Sequence, residues 1–352
     1  MIDWSLAERV AGAVAGSPNG ETAKPLPGDL DAMARDARSR VVAYSRIAPA
    51  NELPPPEAVD RTTWAQANLR TMRGTLDPLL QQFGGTGNGP LAGPLRAAGG
   101  MLLAGEIGGI VGFMGRHVLG QYELALLDPT QGARLLLVAP NLHEAANGMD
   151  VELEELLPWV VFHEVTHAVQ FNGVPWLREH LAGMLRELLS SVQVNIDPSA
   201  LLKLPKVDDL RGMWDQVREG GLVTAVAGPE RKALIDRLQA TMALIEGHAE
   251  HVMDAAGAPV LPNVAKLREA MDRRRKHRPP LFKLLERLLG LDMKMRQYEH
   301  GKRFCDAVVA RGGIDALNRA WSAPDRLPTL EELDDPAGWI RRTELRVVTP
   351  PD

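Results

Sequence analysis

Apolar residues recur every three or four positions through most of the chain, the spacing of helices that bury one face. The pattern predicts helices over Leu30–Ser45 and Thr63–Phe83, separated by Pro54-Pro55-Pro56, which a helix interior does not accept. Further helical patterns cover Pro175–Val194, Pro229–Ala255, Leu281–Leu291 and Lys294–Arg311, the last broken by Gly312-Gly313. One pair of strands stands out. Gln121–Leu127 alternates in part, Arg134–Ala139 carries the buried-strand run Leu135-Leu136-Leu137-Val138, and Asp128-Pro129-Thr130-Gln131-Gly132 reads as the turn between them. Residues 17–28 read as a loop or connector and residues 84–93 as another flexible stretch, and a Pro-punctuated tail from Ala323 closes the chain. The result is a mainly α fold with a small β-sheet. It divides into an N-terminal helical region over 1–105, a core holding the sheet over 106–256 and a C-terminal helical region over 257–352, or packs as one compact unit.

The window Ala97–Gly115 is the most membrane-like, with Gly108-x-x-x-Gly112 at the spacing of closely packed helices. Glu106 at its centre and its many glycines argue for a buried, tightly packed helix rather than a membrane span. The N-terminus lacks the basic region, apolar run and cleavage site of a signal peptide. Composition changes little in this picture. Apolar residues make up 45% and charged residues 24%, ordinary for a globular protein with a sizeable core. A net charge of −5 gives no reason to expect nucleic acid, and the short basic run Arg273–Arg278 reads as a solvated helix end. The single cysteine, Cys305, forms no internal disulfide; it suits a reducing cytoplasm and reads as a packed core thiol.

Chemistry concentrates in one apolar helical run, Val161-Phe162-His163-Glu164-Val165-Thr166-His167-Ala168-Val169. Two histidines four apart lie on one helix face, so both imidazoles can reach one ion at about 2.0–2.1 Å. Glu164 is rotated by about 100° from His163 and can face a water without ligating the metal. Two ligands and a general base are what zinc-assisted hydrolysis needs. The bland alternative is a pair of core histidines bonded to backbone. Pro158 is expected in the helix first turn, with Asn172-Gly173 as its stop.

A third ligand is required, with a fourth position left for water. On the Pro229–Ala255 helix, Ile235, Met242, Glu246, Ala249 and Met253 fall in a narrow arc, so Glu246 sits inside an apolar stripe and asks for a cation. Glu250, one turn on, can accept the free N–H of a metal-bound histidine. His248 and His251 are the competing ligands, although both point away from that arc; an arginine partner for Glu246, and surface histidines, are the structural alternatives. Tyr122 has the chemistry to stabilise an oxyanion but reads first as a strand aromatic packed on the core. A sheet just ahead of the histidine helix can hold an extended substrate by strand addition.

The strings HEVTHAVQF, GVPWLREHLAGML, IEGHAEHVMDA and QYEHGKRFCDAVVARGG together resemble an actinobacterial zincin-like family, the type-2 zincins or tetrazincins, often described as associated with deazaflavin-coenzyme biosynthesis. The likeness runs over roughly Val10 to Arg341. It implies a zincin-like metalloprotease fold, one Zn2+ per chain on His163, His167 and Glu246, and Glu164 as base. The name tetrazincin implies a fourth protein ligand in some members, which would fill the water position. The extended HExxHxxGxxH pattern of metzincins is absent. The expectation is a cytoplasmic zinc metallopeptidase acting on a peptide or protein substrate, without nucleic-acid or membrane partners. The alternatives are a non-catalytic, zinc-stabilised binding protein and a hydrolase of non-peptide amides.

Overall fold

Asp3 starts the first helix by accepting the amide of Leu6 on its carboxylate at 3.0 Å, and Gly16 ends it with a φ of 63°. In this computed structural model, residues 2–16, 24–83, 92–128, 131–190, 229–261, 263–276 and 292–345 are described. Along them run α1 (Trp4–Ala15), α2 (Leu30–Ser45), β1 (Pro56–Val59), α3 (Arg61–Phe83), α4 (Ala92–Gly115), β2 (Gly120–Glu123) and β3 (Arg134–Val138). There follow α5 (Ala139–Met149), α6 (Leu153–Gly173), α7 (Leu177–Ser190), α8 (Pro229–Gly257), α9 (Val264–Lys276), α10 (Asp292–Asn318), α11 (Leu330–Asp334) and α12 (Pro336–Leu345). The fold is mainly α with a small sheet. The expected helix over Leu281–Leu291 lies outside the described residues. Contacts divide the chain into two units, Met1–Pro175 with Met253–Ala270, and Trp176–Val252 with Met271–Asp352.

The first unit holds the sheet, in the order β1-β3-β2. β3 is central, and its Leu135-Leu136-Leu137-Val138 run is fully buried. β2 pairs with it antiparallel, Gly120 opposite Leu137 and Tyr122 opposite Leu135. The third strand was not expected: Pro56–Val59 pairs parallel with β3, Pro56 opposite Leu135. A proline at the first position of an edge strand needs no ladder N–H, so the Pro54–Pro56 spacer ends where this strand begins. Both strands end earlier than expected, β3 by one residue at Val138 and β2 at Glu123 instead of Leu127. Residues 124–127 leave the ladder after Glu123 and turn.

α4 lies against α1 through glycine. A Cβ on Gly112 would stand 2.8 Å from the Val14 Cβ, and one on Gly108 would stand 3.0 Å from the Ala7 Cα. The close-packing reading of Gly108-x-x-x-Gly112 therefore holds, but burial is one-sided. Met101, Leu102 and Leu103 are exposed, and only 33% of the Ala98–Gly115 window is buried. By length and composition alone this is the one helix among the described residues able to cross a membrane. Trp4, Trp64, Leu69, Ala104 and Val111 pack with Leu136 and Val138 into one core behind the sheet.

In the second unit α8 and α10 cross at two glycines. A Cβ on Gly301 would stand 2.7 Å from the Ala243 carbonyl carbon, and one on Gly247 would stand 2.5 Å from the Lys302 nitrogen. α10 then kinks at Gly313, whose φ of 70° and ψ of −178° match the expected break. Next to the crossing, Phe304 packs edge-on against Trp339 with ring centres 5.2 Å apart. Cys305 is completely buried there, and burial pushes its thiol well up from the usual range, with the carboxylates of Asp306 and Glu250 adding to the rise. The native protein should therefore resist an aromatic disulfide reagent at about pH 8 and release one thiol per chain only in denaturant. Rapid labelling of the native chain would contradict this packing.

Candidate metal centre

α6 begins earlier than its sequence suggested. Glu154 and Glu155 occupy the first turn, where their charge complements the helix N-terminus, and Pro158 sits inside the helix rather than in that turn. The ring removes the N–H that would bond the Glu154 carbonyl, which the unpaired start of a helix tolerates better than its middle. The expected stop holds: the helix ends at Gly173, and the Val174 amide closes on the Gln170 carbonyl at 3.0 Å. Gly173 has no room for a side chain, since a Cβ would stand 3.0 Å from the Ala48 carbonyl oxygen. Almost every side of the helix is buried between Leu156 and Gln170.

Inside it, the Nε2 atoms of His163 and His167 stand 3.2 Å apart, their rings perpendicular at 90°. Two nitrogens bound about 2.05 Å from a tetrahedral zinc would be about 3.3 Å apart. The spacing fits one ion. The His163 ring lies parallel to Trp159, which is one turn earlier, with centres 6.3 Å apart and planes within 6°. The other ring nitrogen of His167, Nδ1, faces the Oε1 of Gln170 at 3.4 Å.

Glu246 lies on α8, and the ligand atoms offered by His163, His167 and Glu246 all fall within 4.8 Å of one another. No other set of three His, Cys, Asp or Glu side chains among the described residues gathers in this way. Two imidazoles and one carboxylate are the donor set of a zinc site that keeps a position for water. The expected narrow apolar stripe on α8 is broader than its sequence implied, because the crossing with α10 covers a second side. His248 is 1% exposed and packs edge-on to Trp321, and His251 is 9% exposed, so neither is a surface residue. His251 Nδ1 meets the Asp306 carboxylate at 2.6 Å, whose second oxygen accepts from Lys302 at 2.7 Å. Glu250 is buried as well.

Glu164 is buried and faces the sheet. Its Oε2 accepts the backbone N–H of Tyr122 at 2.8 Å. β2 comes this near because residue 120 is glycine: a Cβ there would stand 2.8 Å from the Glu164 Cγ and 3.0 Å from its Oε1. At Tyr122, then, the N–H that strand addition would use already serves Glu164. The Tyr122 phenol accepts from Asn172 Nδ2 at 3.1 Å, and its ring stacks on Phe171 with centres 6.1 Å apart. Tyr122 thus touches both Glu164, through its backbone, and the C-terminal end of the histidine helix, through its side chain.

Sequence reasoning missed Gly120 and Gln170. Nothing in the local pattern marks Gly120, whose role depends on how α6 meets the sheet. Gln170 did carry a signal: it is an uncharged polar residue three positions after His167 in an otherwise apolar run.

The chain matches the zincin-like metallopeptidase family over residues 2–340. It is also similar to a crystal structure from Chloroflexus aurantiacus, a protein proposed to be a hydrolase with a novel fold. The two are 28% identical, with 98% of this chain and 99% of that one covered and a TM-score of 0.67. No curated protein matches. A match over nearly the whole length leads to one assignment: the chain belongs to the zincin-like metallopeptidase family.

Proposed function

We propose that this protein is a zinc-dependent hydrolase, most specifically a metallopeptidase. The observation that carries the reading is the 3.2 Å separation of the two Nε2 atoms, which fits one tetrahedral ion. His163, His167 and Glu246 are the ligands in this reading. A zinc ion held by them would supply Lewis acidity toward a water and the scissile carbonyl. Glu164 acts as the general base. The Tyr122 N–H stabilises its carboxylate form and fixes one oxygen, leaving the other to take a proton from the attacking water and pass it to the leaving amine. Burial of Glu164 keeps competing water away from that transfer. Glu250 is assigned a supporting role beside the ligands, and His248 stands as the alternative third ligand. The substrate in this reading is a peptide, and the compartment is the reducing cytoplasm that a lone buried thiol suits.

Zinc content of the wild type and of Glu246→Gln, purified identically without chelators, tests the assignment. About one zinc per chain in the wild type, with most of it lost from the variant, is the expected result. A metal-free wild type removes the hydrolase reading. Zinc retained in Glu246→Gln moves the third ligand elsewhere, to His248 first. A zinc-loaded protein that leaves both a peptide library and simple amides intact would point to the non-catalytic reading.

A further inference from the structure

We infer that Gln170 is the residue that orients His167 for metal binding, by holding the proton of that imidazole on Nδ1. The inference rests on the zinc reading above. It starts from a cost: Gln170 is fully buried in a helix whose surroundings are apolar, and an amide is placed there unfavourably unless it has partners. A leucine would fill the same space without that penalty. What the amide offers is a carbonyl oxygen, and that oxygen faces His167 Nδ1 at 3.4 Å.

The role follows from the acceptor chemistry. An amide oxygen only accepts, so a hydrogen bond at Nδ1 needs the proton on Nδ1. The lone pair then belongs to Nε2, the atom that faces His163 Nε2 at 3.2 Å. Gln170 thereby selects the tautomer that presents a lone pair to the metal position. At 3.4 Å the contact is long, and a cation held at Nε2 would make the Nδ1–H a stronger donor to the amide oxygen. Many ligating histidines give this N–H to a carboxylate, which would leave a further negative charge beside Glu164 and Glu246. A neutral amide fixes the ring without adding charge. The spacing makes the device local: Gln170 lies three residues after His167, almost one turn on the same helix, so ligand and orienting group move together.

Gln170→Leu tests the inference through two readings, the zinc dissociation constant by competition with a chromogenic chelator and the imidazole 15N spectrum of the zinc-free protein at about pH 8, where histidine is neutral. The expected result is a dissociation constant raised about 10- to 100-fold, with His167 changing from Nδ1–H toward a mixture of tautomers. Gln170→Glu, which keeps an acceptor oxygen at the same reach, should hold zinc at least as tightly as the wild type and guards against a leucine variant that fails to fold. Wild type that binds zinc, beside a leucine variant that binds it equally well, overturns the inference. So does a glutamate variant weakened as far as the leucine one, because packing rather than hydrogen bonding would then be the function of the side chain. A wild type that binds no zinc defeats the zinc reading itself, and the tautomer spectrum still reports whether Gln170 holds the His167 proton.

Discussion

Glu164→Gln should keep about one zinc per chain and lose about 10²–10⁴ of turnover, the range that a positioned general base contributes. The substitution is nearly isosteric and retains an oxygen able to accept the Tyr122 N–H, so the side chain stays lodged against β2. What it loses is basicity. Glu164 is not among the three side chains whose ligand atoms gather, so metal content should not change. The measurement pairs elemental zinc with initial rates on any peptide that the wild type cleaves. Full activity in the variant would remove Glu164 as the base, whereas lost zinc would mean that its carboxylate helps to hold the metal.

The largest expected effect on stability lies at the crossing of α8 and α10. Gly301→Ala should destabilise the protein by about 3 kcal/mol, the upper part of the usual overpacking range. The added Cβ would meet the Ala243 backbone, with the carbonyl carbon 2.7 Å away, and backbone yields less readily than the tip of a side chain. Gly183→Ala in α7 is the matched control. Nothing lies within 4 Å of its added Cβ, so it should be neutral or stabilise by up to about 1 kcal/mol through helix propensity. Thermal melts of the two variants decide the matter, and an unchanged melt for Gly301→Ala would mean that the helices separate without penalty.

Much of this fold is written locally. The 3.6-residue period placed α2 at its observed ends and α8 to within two residues at its C-terminus, because caps and glycines mark those helices in the chain itself. The strand β1 was not legible, since its partner β3 lies some 80 residues away and its register, Pro56 with Leu135, is a tertiary fact. The same division runs through the site. His163 and His167 share one helix face by spacing alone, and the stripe position of Glu246 named it before any contact was known. The hold of Tyr122 on Glu164 depends on a strand meeting a helix 42 residues further along, which no periodicity encodes. The burial of His248 and His251, which removes the surface alternative, was not legible for a related reason: a wheel assigns faces to one helix and knows nothing of a second helix crossing it at glycine.

The contact between Tyr122 and Glu164 is made by main chain on the strand side. Replacing the phenol with any side chain that keeps an amide hydrogen leaves the donor where it is, so evolutionary drift at residue 122 can reshape the neighbourhood of the base without disturbing its aim. Only proline erases the donor outright. The burden of constancy shifts to residue 120, where any side chain would stand in the space that Glu164 occupies. In a divergent lineage, glycine two places before the tyrosine should therefore outlast the tyrosine itself.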